Sequence, residues 1–96
     1  MPKSVKFRFR LYVADDTQNS AQALANLNAL CLAHLPERYV IEIVDVFRNP
    51  KRALDDGIRM TPTLIKLAPP PVQKIVGTLS RTTRVLQLLG LYIRAA

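Results

Sequence analysis

Cys31 and His34 are the two residues of this chain with the chemistry of a nucleophile and its general base. The sequence holds one cysteine and one histidine, and three residues apart on a helix their side chains would be neighbours. Cys31, however, continues the apolar series Leu24, Leu27 and Leu30. A cysteine in such a series is normally a buried and unreactive thiol. We therefore predict no catalytic residue and no enzyme activity.

Metal and phosphate sites are also poorly represented. Asp15 and Asp16 could hold a hard cation, but two adjacent carboxylates in a chain with few other ligands are more typical of a turn. Gly57, Gly77 and Gly90 lie far apart, so the sequence lacks a glycine-rich phosphate loop. We expect neither a metal nor a cofactor.

The charge of the chain is basic and unevenly distributed. The 96 residues carry a formal net charge of +7, and no Asp or Glu follows Asp56. Such a field speeds encounter with acidic protein surfaces and attracts nucleic acid or anionic lipid without specificity. The single cysteine excludes an internal disulfide, and no apolar run is long enough to cross a membrane. We expect one cytoplasmic domain over residues 1–96 that binds partners.

Residues 5–13 alternate between apolar and polar side chains, which is the period of a strand with two different faces. Phe7 and Phe9 lie beside cations, an arrangement found in sheets that stack nucleic-acid bases. The alternation places both phenylalanines on the apolar face, which belongs in the core. Tyr12 is then the one aromatic residue of the strand on the outward, basic face. We therefore expect no specific nucleic-acid binding.

A helix and a second strand follow. Leucines at helical spacing predict a helix over about 20–34, which begins at Asn19 or Ser20 and is ended by Pro36. The nearly continuous apolar run over 39–46 predicts a strand parallel to the first and covered on most of both faces.

The remaining elements are shorter. A polar helix over 50–56 has a proline at its first position and Gly57 at its end. Two strands, Thr63–Ala68 and Val72–Val76, flank a run of three prolines. Ser80 is placed to cap a last helix. The apolar face of that helix comprises Val85, Leu88, Leu89, Tyr92 and Ile93. The predicted order is βαβαββα.

Thr61-Pro62-Thr63 begins the third strand, where a proline removes no ladder hydrogen bond. The cis form of an X-Pro bond costs only about 0.5–1 kcal/mol, so Pro62 can make a tight cis entry. A cis-proline loop followed by a hairpin resembles thioredoxin-like domains, and we expect an α/β fold with a mixed four-stranded sheet. In such domains the loop normally faces a redox cysteine pair, whereas residues 14–19 contain no cysteine. A thioredoxin-fold redox enzyme is the alternative to a binding module.

Several ordered blocks of the sequence resemble the KaiB family of circadian-clock proteins. The blocks are LYVADDTQNS (11–20), VDVFRNP (44–50), TPTLIK (61–66) and PPPVQKIVG (69–77), followed by Leu79-Ser80. The resemblance runs from about Val5 to Tyr92. Because the blocks keep their order and spacing, the resemblance is more specific than any single motif above.

The resemblance implies a function that composition does not show. KaiB-like proteins bind the N-terminal ATPase ring of hexameric KaiC, and the bound form recruits KaiA. The histidine kinase SasA carries a sensor domain of related fold. KaiB-like proteins are metamorphic, because a βαββααβ form that assembles as a tetramer exchanges with the thioredoxin-like form that binds KaiC. The resemblance thus implies a KaiC-like ATPase, a KaiA-like protein or a SasA-like kinase as partners, and a homodimer or homotetramer as oligomer.

The resemblance also indicates site residues. Val40 and Glu42 match the interface strand of the family. Expected exposure adds four cations, Arg48, Lys51, Arg59 and Lys66. The change between the two folds is expected to involve Pro62, Gly77 and Thr78.

The sequence departs from the family pattern at four places. Asp15-Asp16-Thr17-Gln18 stands where Gly-Asn-Thr-Pro is common, Glu42 replaces a residue that is often basic, and Gly57 replaces a usual lysine. Thr78 follows the glycine where the family has aspartate. These departures predict a divergent paralogue with altered KaiC affinity and an altered balance between the folds.

Overall fold

The helices and strands follow one another in the order βαβαββα, as the sequence predicted. The computed structural model describes residues 6–91, so Val5, Tyr92 and Ile93 of the predicted elements lie outside the described residues. The elements are β1 (Phe7–Val13), α1 (Gln18–His34), β2 (Tyr39–Asp45), α2 (Pro50–Asp55), β3 (Thr63–Ala68), β4 (Gln73–Val76) and α3 (Thr82–Leu88).

The strands form one mixed sheet in the order β2-β1-β3-β4. β1 pairs in parallel with β2, and the pairs β1–β3 and β3–β4 are antiparallel. The parallel pairing of β1 with β2 confirms the prediction. The predicted cover on both faces of β2 is wrong, because β2 lies at the sheet edge and only Val44 among its residues is buried.

The larger part of the core lies between the sheet and the helices α1 and α3. Phe7 and Phe9 of β1 point to this side, with 6% and 1% of their surface exposed. They are thus core residues, as the alternation predicted, and do not form a base-stacking platform. Each large apolar side chain buried here contributes about 1.5–3 kcal/mol. The helices contribute Ala23, Leu27, Leu30, Cys31, Val85, Leu86 and Leu89.

A smaller apolar cluster lies on the opposite face of the sheet, under α2. It contains Tyr12, Val44, Ala53 and Ile65. Tyr12 is fully buried, so the prediction that it lies on an exposed basic face is wrong. The period of two separates the faces of a strand, but it does not show whether a helix covers each face. Here α2 packs over the face that was expected to be open.

The residues at the helix starts differ from those predicted. Thr17 is the N-cap of α1, and its side chain accepts a hydrogen bond from the backbone N–H of Ser20 at 3.4 Å. Arg81 is at the N-cap of α3 and makes no capping bond. Ser80, the predicted cap, lies instead within hydrogen-bonding distance of the Thr78 hydroxyl, at 2.6 Å.

Prolines frame the hairpin of β3 and β4. The Thr61–Pro62 bond before β3 is cis, as are the Ala68–Pro69 and Pro70–Pro71 bonds in the connection to β4. Pro62 itself is buried.

Over residues 6–91, none of the helices has the length and apolar character needed to cross a membrane.

Candidate functional site

An ion-pair network fixes α2 against the sheet. Arg10 of β1 is in register with Glu42 of β2. Its guanidinium donates from Nε to Glu42 Oε1 at 2.8 Å and from Nη1 to Asp56 Oδ2 at 3.0 Å. Arg52 of α2 lies 2.8 Å from the second carboxylate oxygen of Glu42. Both oxygens of Glu42 are therefore paired with arginines, and its charge is neutralised within the chain.

Tyr12 joins this network from the smaller core. Its hydroxyl donates to the Asp56 carboxylate and lies 3.1 Å from the backbone carbonyl oxygen of Arg52. Burial, and next the hydrogen bond to Asp56, raises the pKa of Tyr12 to about 12. Lys74 of β4 donates to the backbone carbonyl of Asp56. Side chains from β1 and β4 thus converge on the C-terminal end of α2.

The carboxyl groups of the network stay ionised at neutral pH. The pKa of Glu42 lies below its ordinary value because Arg10, and next Arg52, donates hydrogen bonds to it. The hydrogen bond from Tyr12, and then the one from Arg10, lowers the pKa of Asp56. A general acid or base works best with a pKa near neutrality. The network is therefore suited to holding α2 in place rather than to transferring protons.

Three large apolar side chains are exposed around α2. Phe47 in the β2–α2 loop is 72% exposed, Leu54 on α2 81%, and Met60 in the α2–β3 loop 63%. Phe47 and Met60 line the same shallow cavity of about 170 Å³. The sequence analysis did not single out these residues, although a lone leucine in an otherwise polar helix was a usable signal. Clustered exposed apolar side chains are typical of binding surfaces.

Exposed cations accompany these apolar side chains. Arg48, Lys51 and Arg59 are exposed, as predicted. Lys51 pairs with the exposed Asp55 at 3.0 Å. Such an exposed ion pair contributes little to the free energy of unfolding. Within residues 6–91, Arg48 and Arg59 form no ion pair. We call this region the α2 surface, and it comprises Phe47, Arg48, Lys51, Leu54, Arg59 and Met60.

The free edge of β2 is a second exposed apolar feature. Val40 is 47% exposed and Ile43 51%. β2 pairs with β1 alone among the described strands, so one side of its backbone is open to another strand. Val40 therefore lies where the resemblance implied, and its role in binding stays a prediction.

Lys66 does not belong to the α2 surface. It is 4% exposed, and its ammonium donates to the backbone carbonyl of Leu89 at 3.3 Å, on the α3 side of the sheet. The predicted exposure of Lys66 is wrong. β3 has strands on both sides and helices over both faces, and the long side chain carries the ammonium to the carbonyl groups at the end of α3.

The residues predicted to accompany a change of fold lie at the base of the hairpin. Gly77 has a φ of +117° and donates its backbone N–H to the Pro62 carbonyl at 2.9 Å. The Thr78 carbonyl accepts a hydrogen bond from the Asn26 side-chain amide at 2.8 Å. The structure brings Pro62 and Gly77 into contact and joins Thr78 to α1. The alternative βαββααβ fold stays a prediction.

The groove between the β1–α1 and β2–α2 loops lacks redox chemistry. This groove of about 540 Å³ is lined by carboxylates such as Asp15 and Asp45, and by no cysteine. Cys31 is buried in the core, and burial raises its pKa to about 11, which keeps the thiol protonated at neutral pH. In the part of the chain that the structure describes, no three His, Cys, Asp or Glu residues form a metal-binding group.

Comparison with known proteins assigns the family. The KaiB domain model matches residues 10–91. This chain belongs to the KaiB family. It is 46% identical over 84 residues to circadian clock protein KaiB3 of Synechocystis sp., a match that covers 88% of this chain and 80% of that protein. It is 47% identical over 77 residues to circadian clock oscillator protein KaiB of Acaryochloris marina, with 80% and 74% of the two chains covered.

Solved structures similar to this KaiB-family chain share its fold at low sequence identity. The N-terminal domain of Synechococcus elongatus SasA has a TM-score of 0.73 at 19% identity, covering 94% of this chain and 89% of that one. Chloroplastic thioredoxin z has a TM-score of 0.73 at 16% identity, covering 88% and 76%. These similarities confirm the thioredoxin-like α/β fold, and at such identities they concern the fold alone.

Proposed function

We propose that this protein is a non-enzymatic interaction module that docks on a KaiC-like hexameric ATPase through its α2 surface. The observation that carries the proposal is the exposure of Phe47, Leu54 and Met60 beside exposed cations. Membership in a family of circadian clock proteins supports a role in protein interaction.

The α2 surface has the composition of a binding site. Phe47 and Met60 expose large apolar areas to water. A partner that covers these areas gains the free energy of removing them from water. Aromatic residues, Met and Arg are enriched where protein interfaces are buried. Phe47 and Met60 are therefore the expected anchors, with Arg48 and Arg59 at the rim.

The charge of the surface favours an acidic partner. Glu42 stands where the family often has a basic residue, but Arg10 and Arg52 pair with both of its carboxylate oxygens. Arg59 lies beside Phe47 and Met60 and forms no ion pair within residues 6–91, so it makes this part of the surface basic. Arg48 adds a positive charge at the border with the groove that contains Asp15 and Asp45. In this proposal Glu42 holds α2 in position and contributes to binding through that arrangement.

The network also prepares the surface for binding. Because α2 is joined to β1, β2 and β4 before any partner arrives, less conformational entropy is lost on docking. The open β2 edge at Val40 offers a separate place for a KaiA-like protein or a second copy of this chain.

The direct test mixes the purified protein with the KaiC-like ATPase of its own source and ATP, and measures co-elution by size-exclusion chromatography with light scattering. We expect a complex of defined stoichiometry. Phe47→Ala with Met60→Ala should lower the affinity at least about tenfold, as expected for anchor residues. Leu32→Ala, which truncates another exposed apolar side chain on α1, is the matched control.

Charge reversal provides a second pair of variants. Arg48→Glu with Arg59→Glu should weaken docking, chiefly by slowing association, whereas Arg81→Glu with Arg84→Glu changes net charge equally and should leave docking intact. If the protein still elutes alone after many hours with the ATPase and ATP, the proposal of a KaiC-like partner is wrong. Binding to a SasA-like histidine kinase from which the sensor domain has been removed would then indicate that the protein is an adaptor of histidine-kinase signalling.

An insulin-reduction assay with dithiothreitol tests the redox alternative. We expect no turnover above the reagent alone, because the one thiol is buried with its pKa at about 11. Turnover that disappears in Cys31→Ser would contradict a non-enzymatic function.

A further inference from the structure

The edge of the sheet opposite β2 carries a second groove, formed by β4 and α3. Among the described strands β4 pairs with β3 alone. The groove has a volume of about 300 Å³ and is lined on one side by β4 and on the other by α3 and the loop before it. Neither the α2 surface nor the β2 edge includes any of these residues.

The register of the hairpin shows which backbone groups this edge offers. Gly77 donates its N–H to the Pro62 carbonyl at 2.9 Å, so these two residues are a hydrogen-bonded pair. In an antiparallel ladder hydrogen-bonded and non-hydrogen-bonded pairs alternate. Val76 opposite Thr63, and Lys74 opposite Ile65, are then non-hydrogen-bonded pairs. The N–H and C=O groups of Val76 and Lys74 therefore point away from β3, towards an incoming strand.

The side chains of the groove are apolar at its walls. Val76 is 56% exposed and Leu88 41%. The helical spacing predicted that Leu88 would face the core, as Val85 and Leu89 do, but Leu88 instead lines the groove. The Val76 side chain lies on the same face of the sheet as Lys74 and Ile65, which is the α2 face, whereas Leu88 lies on the α3 face. An added strand would cover Val76 with one face, turn its other face towards α3, and satisfy the open backbone groups of β4.

The loop between β4 and α3 is held in a fixed, uncommon conformation. Leu79 has a φ of +63°, which bulky residues rarely adopt, and is 5% exposed in the core. The neighbouring Thr78 is joined to Asn26 through its carbonyl. Such over-determined backbone is concentrated at binding and switch sites, and here it fixes one end of the groove.

The charge of the groove selects its occupant. Arg81 and Arg84 line it, are exposed and form no ion pair within residues 6–91. No Asp or Glu occurs after Asp56 in the sequence. Two copies of this chain meeting at this edge would bring their arginines together, which disfavours a β4–β4 dimer. The groove also presents no aromatic side chain on which a base could stack.

We propose that the β4–α3 groove binds an extended acidic segment of another protein, which adds to β4 as a fifth strand. Its apolar side chains cover Val76 on the α2 face of the sheet, and its carboxylates, on the opposite face, pair with Arg81 and Arg84. The partner class is thus a strand-forming peptide with alternating acidic and apolar residues. This inference is independent of the proposed docking at the α2 surface.

The test uses fluorescence polarisation with a labelled, end-blocked peptide of alternating valine and glutamate. We expect saturable binding that Arg81→Glu with Arg84→Glu weakens at least about tenfold. Glutamates near the start of α3 are compatible with the helix dipole, so this variant should fold. Arg48→Glu with Arg59→Glu, of equal charge change, should bind the peptide normally. The two double variants therefore separate this proposal from the proposed function.

Strand addition is distinguished from general attraction by blocking backbone donors. A peptide of the same sequence that is N-methylated at alternate residues on the edge facing β4 should bind at least about tenfold more weakly, whereas methylation of the opposite edge alone should leave binding unchanged. On the protein, Val76→Pro removes an outward N–H without removing a ladder bond, and Val76→Thr keeps it; the former should lose affinity relative to the latter. Unchanged binding of both methylated peptides, or equal binding of oligouridylate or phosphatidylserine vesicles, would overturn the proposal.

Discussion

Asp56 is the residue on which the position of α2 most depends. It accepts hydrogen bonds from the Tyr12 hydroxyl and the Arg10 guanidinium, and its backbone carbonyl accepts one from Lys74. Sequence reasoning treated it only as the last acidic residue of the chain. Its importance follows from the packing of α2 over β1, which brings residues 46 positions apart into contact.

We predict that Asp56→Asn lowers the free energy of unfolding by about 2 kcal/mol, because the buried Tyr12 hydroxyl and the Nη1 group of Arg10 lose their charged acceptor. Urea unfolding at neutral pH measures this change. The matched control is Asp55→Asn, which removes an exposed pair with Lys51 and should change stability by less than about 0.5 kcal/mol.

The same residue predicts a pH dependence. In the folded protein the pKa values of Asp56 and Glu42 lie below their ordinary values of 3.8 and 4.5. Their stabilising contribution is therefore complete above those ordinary values and is lost as the pH falls through the lower folded values. Asp56→Asn should flatten this acid limb. An acid limb identical to that of the unsubstituted protein would contradict the assigned role of Asp56.

At the scale of elements, Lys66 shows how β3 is connected to α3. Its stem crosses the core face of the sheet, and its ammonium reaches one carbonyl at the end of the helix. A buried ammonium with so few partners keeps much of its desolvation cost. In β3, with the sequence TLIKLA, Lys66 is a single cation among mostly apolar residues. The sequence of the strand alone does not show which of its faces is covered.

We predict that Lys66→Met raises the free energy of unfolding by about 1 kcal/mol, since it replaces a buried charge with an apolar side chain of similar length. Lys66→Ala should instead lower it by about 2 kcal/mol through the cavity that remains. Thermal and urea unfolding of both variants provide the measurement. A Lys66→Met protein less stable than the unsubstituted protein would show that the ammonium itself is required.

The start of α3 gives a second prediction for an element. Arg81 at the N-cap makes no side-chain cap, and Asp at such a position is worth about 1 kcal/mol more than a residue that cannot cap. Arg81→Asp should therefore raise the melting temperature and at the same time weaken binding of the acidic peptide. Arg81→Ala is the control, because it removes the charge without supplying a cap. Equal stability of the two variants would exclude capping as the cause.

For the molecule as a whole, the distribution of charge influences the rate of association with an acidic partner more than the fold does. The net charge is +7. Four arginines that form no ion pair within the described residues lie on two separate surfaces, Arg48 and Arg59 on one and Arg81 and Arg84 on the other. We predict that association with an acidic partner at the α2 surface slows about tenfold as salt rises from low to high ionic strength, because screening removes electrostatic steering. Stopped-flow mixing measures this rate. Arg48→Glu with Arg59→Glu should flatten the salt dependence, whereas Arg81→Glu with Arg84→Glu should alter it only weakly.

The order of elements and the family could be predicted from local patterns. Alternation in β1, prolines around β3 and leucine spacing in α1 each depend on neighbours in the sequence, and local rules decide them. Whether a strand face is open depends instead on distant elements. Tyr12 and Lys66 were predicted to be exposed for this reason, and the exposed apolar residues Phe47 and Met60 were missed.

The sequence by itself determined the βαβαββα order, the burial of Phe7 and Phe9, the inert environment of Cys31 and the KaiB-family assignment. These properties follow from side-chain period, propensity and ordered motifs. Only the tertiary structure decided that α2 covers Tyr12, that two arginines neutralise Glu42, and that β4 and α3 form a basic groove. Each of these depends on which elements pack together, because ion pairs and grooves form between side chains that are remote in the chain and adjacent in space.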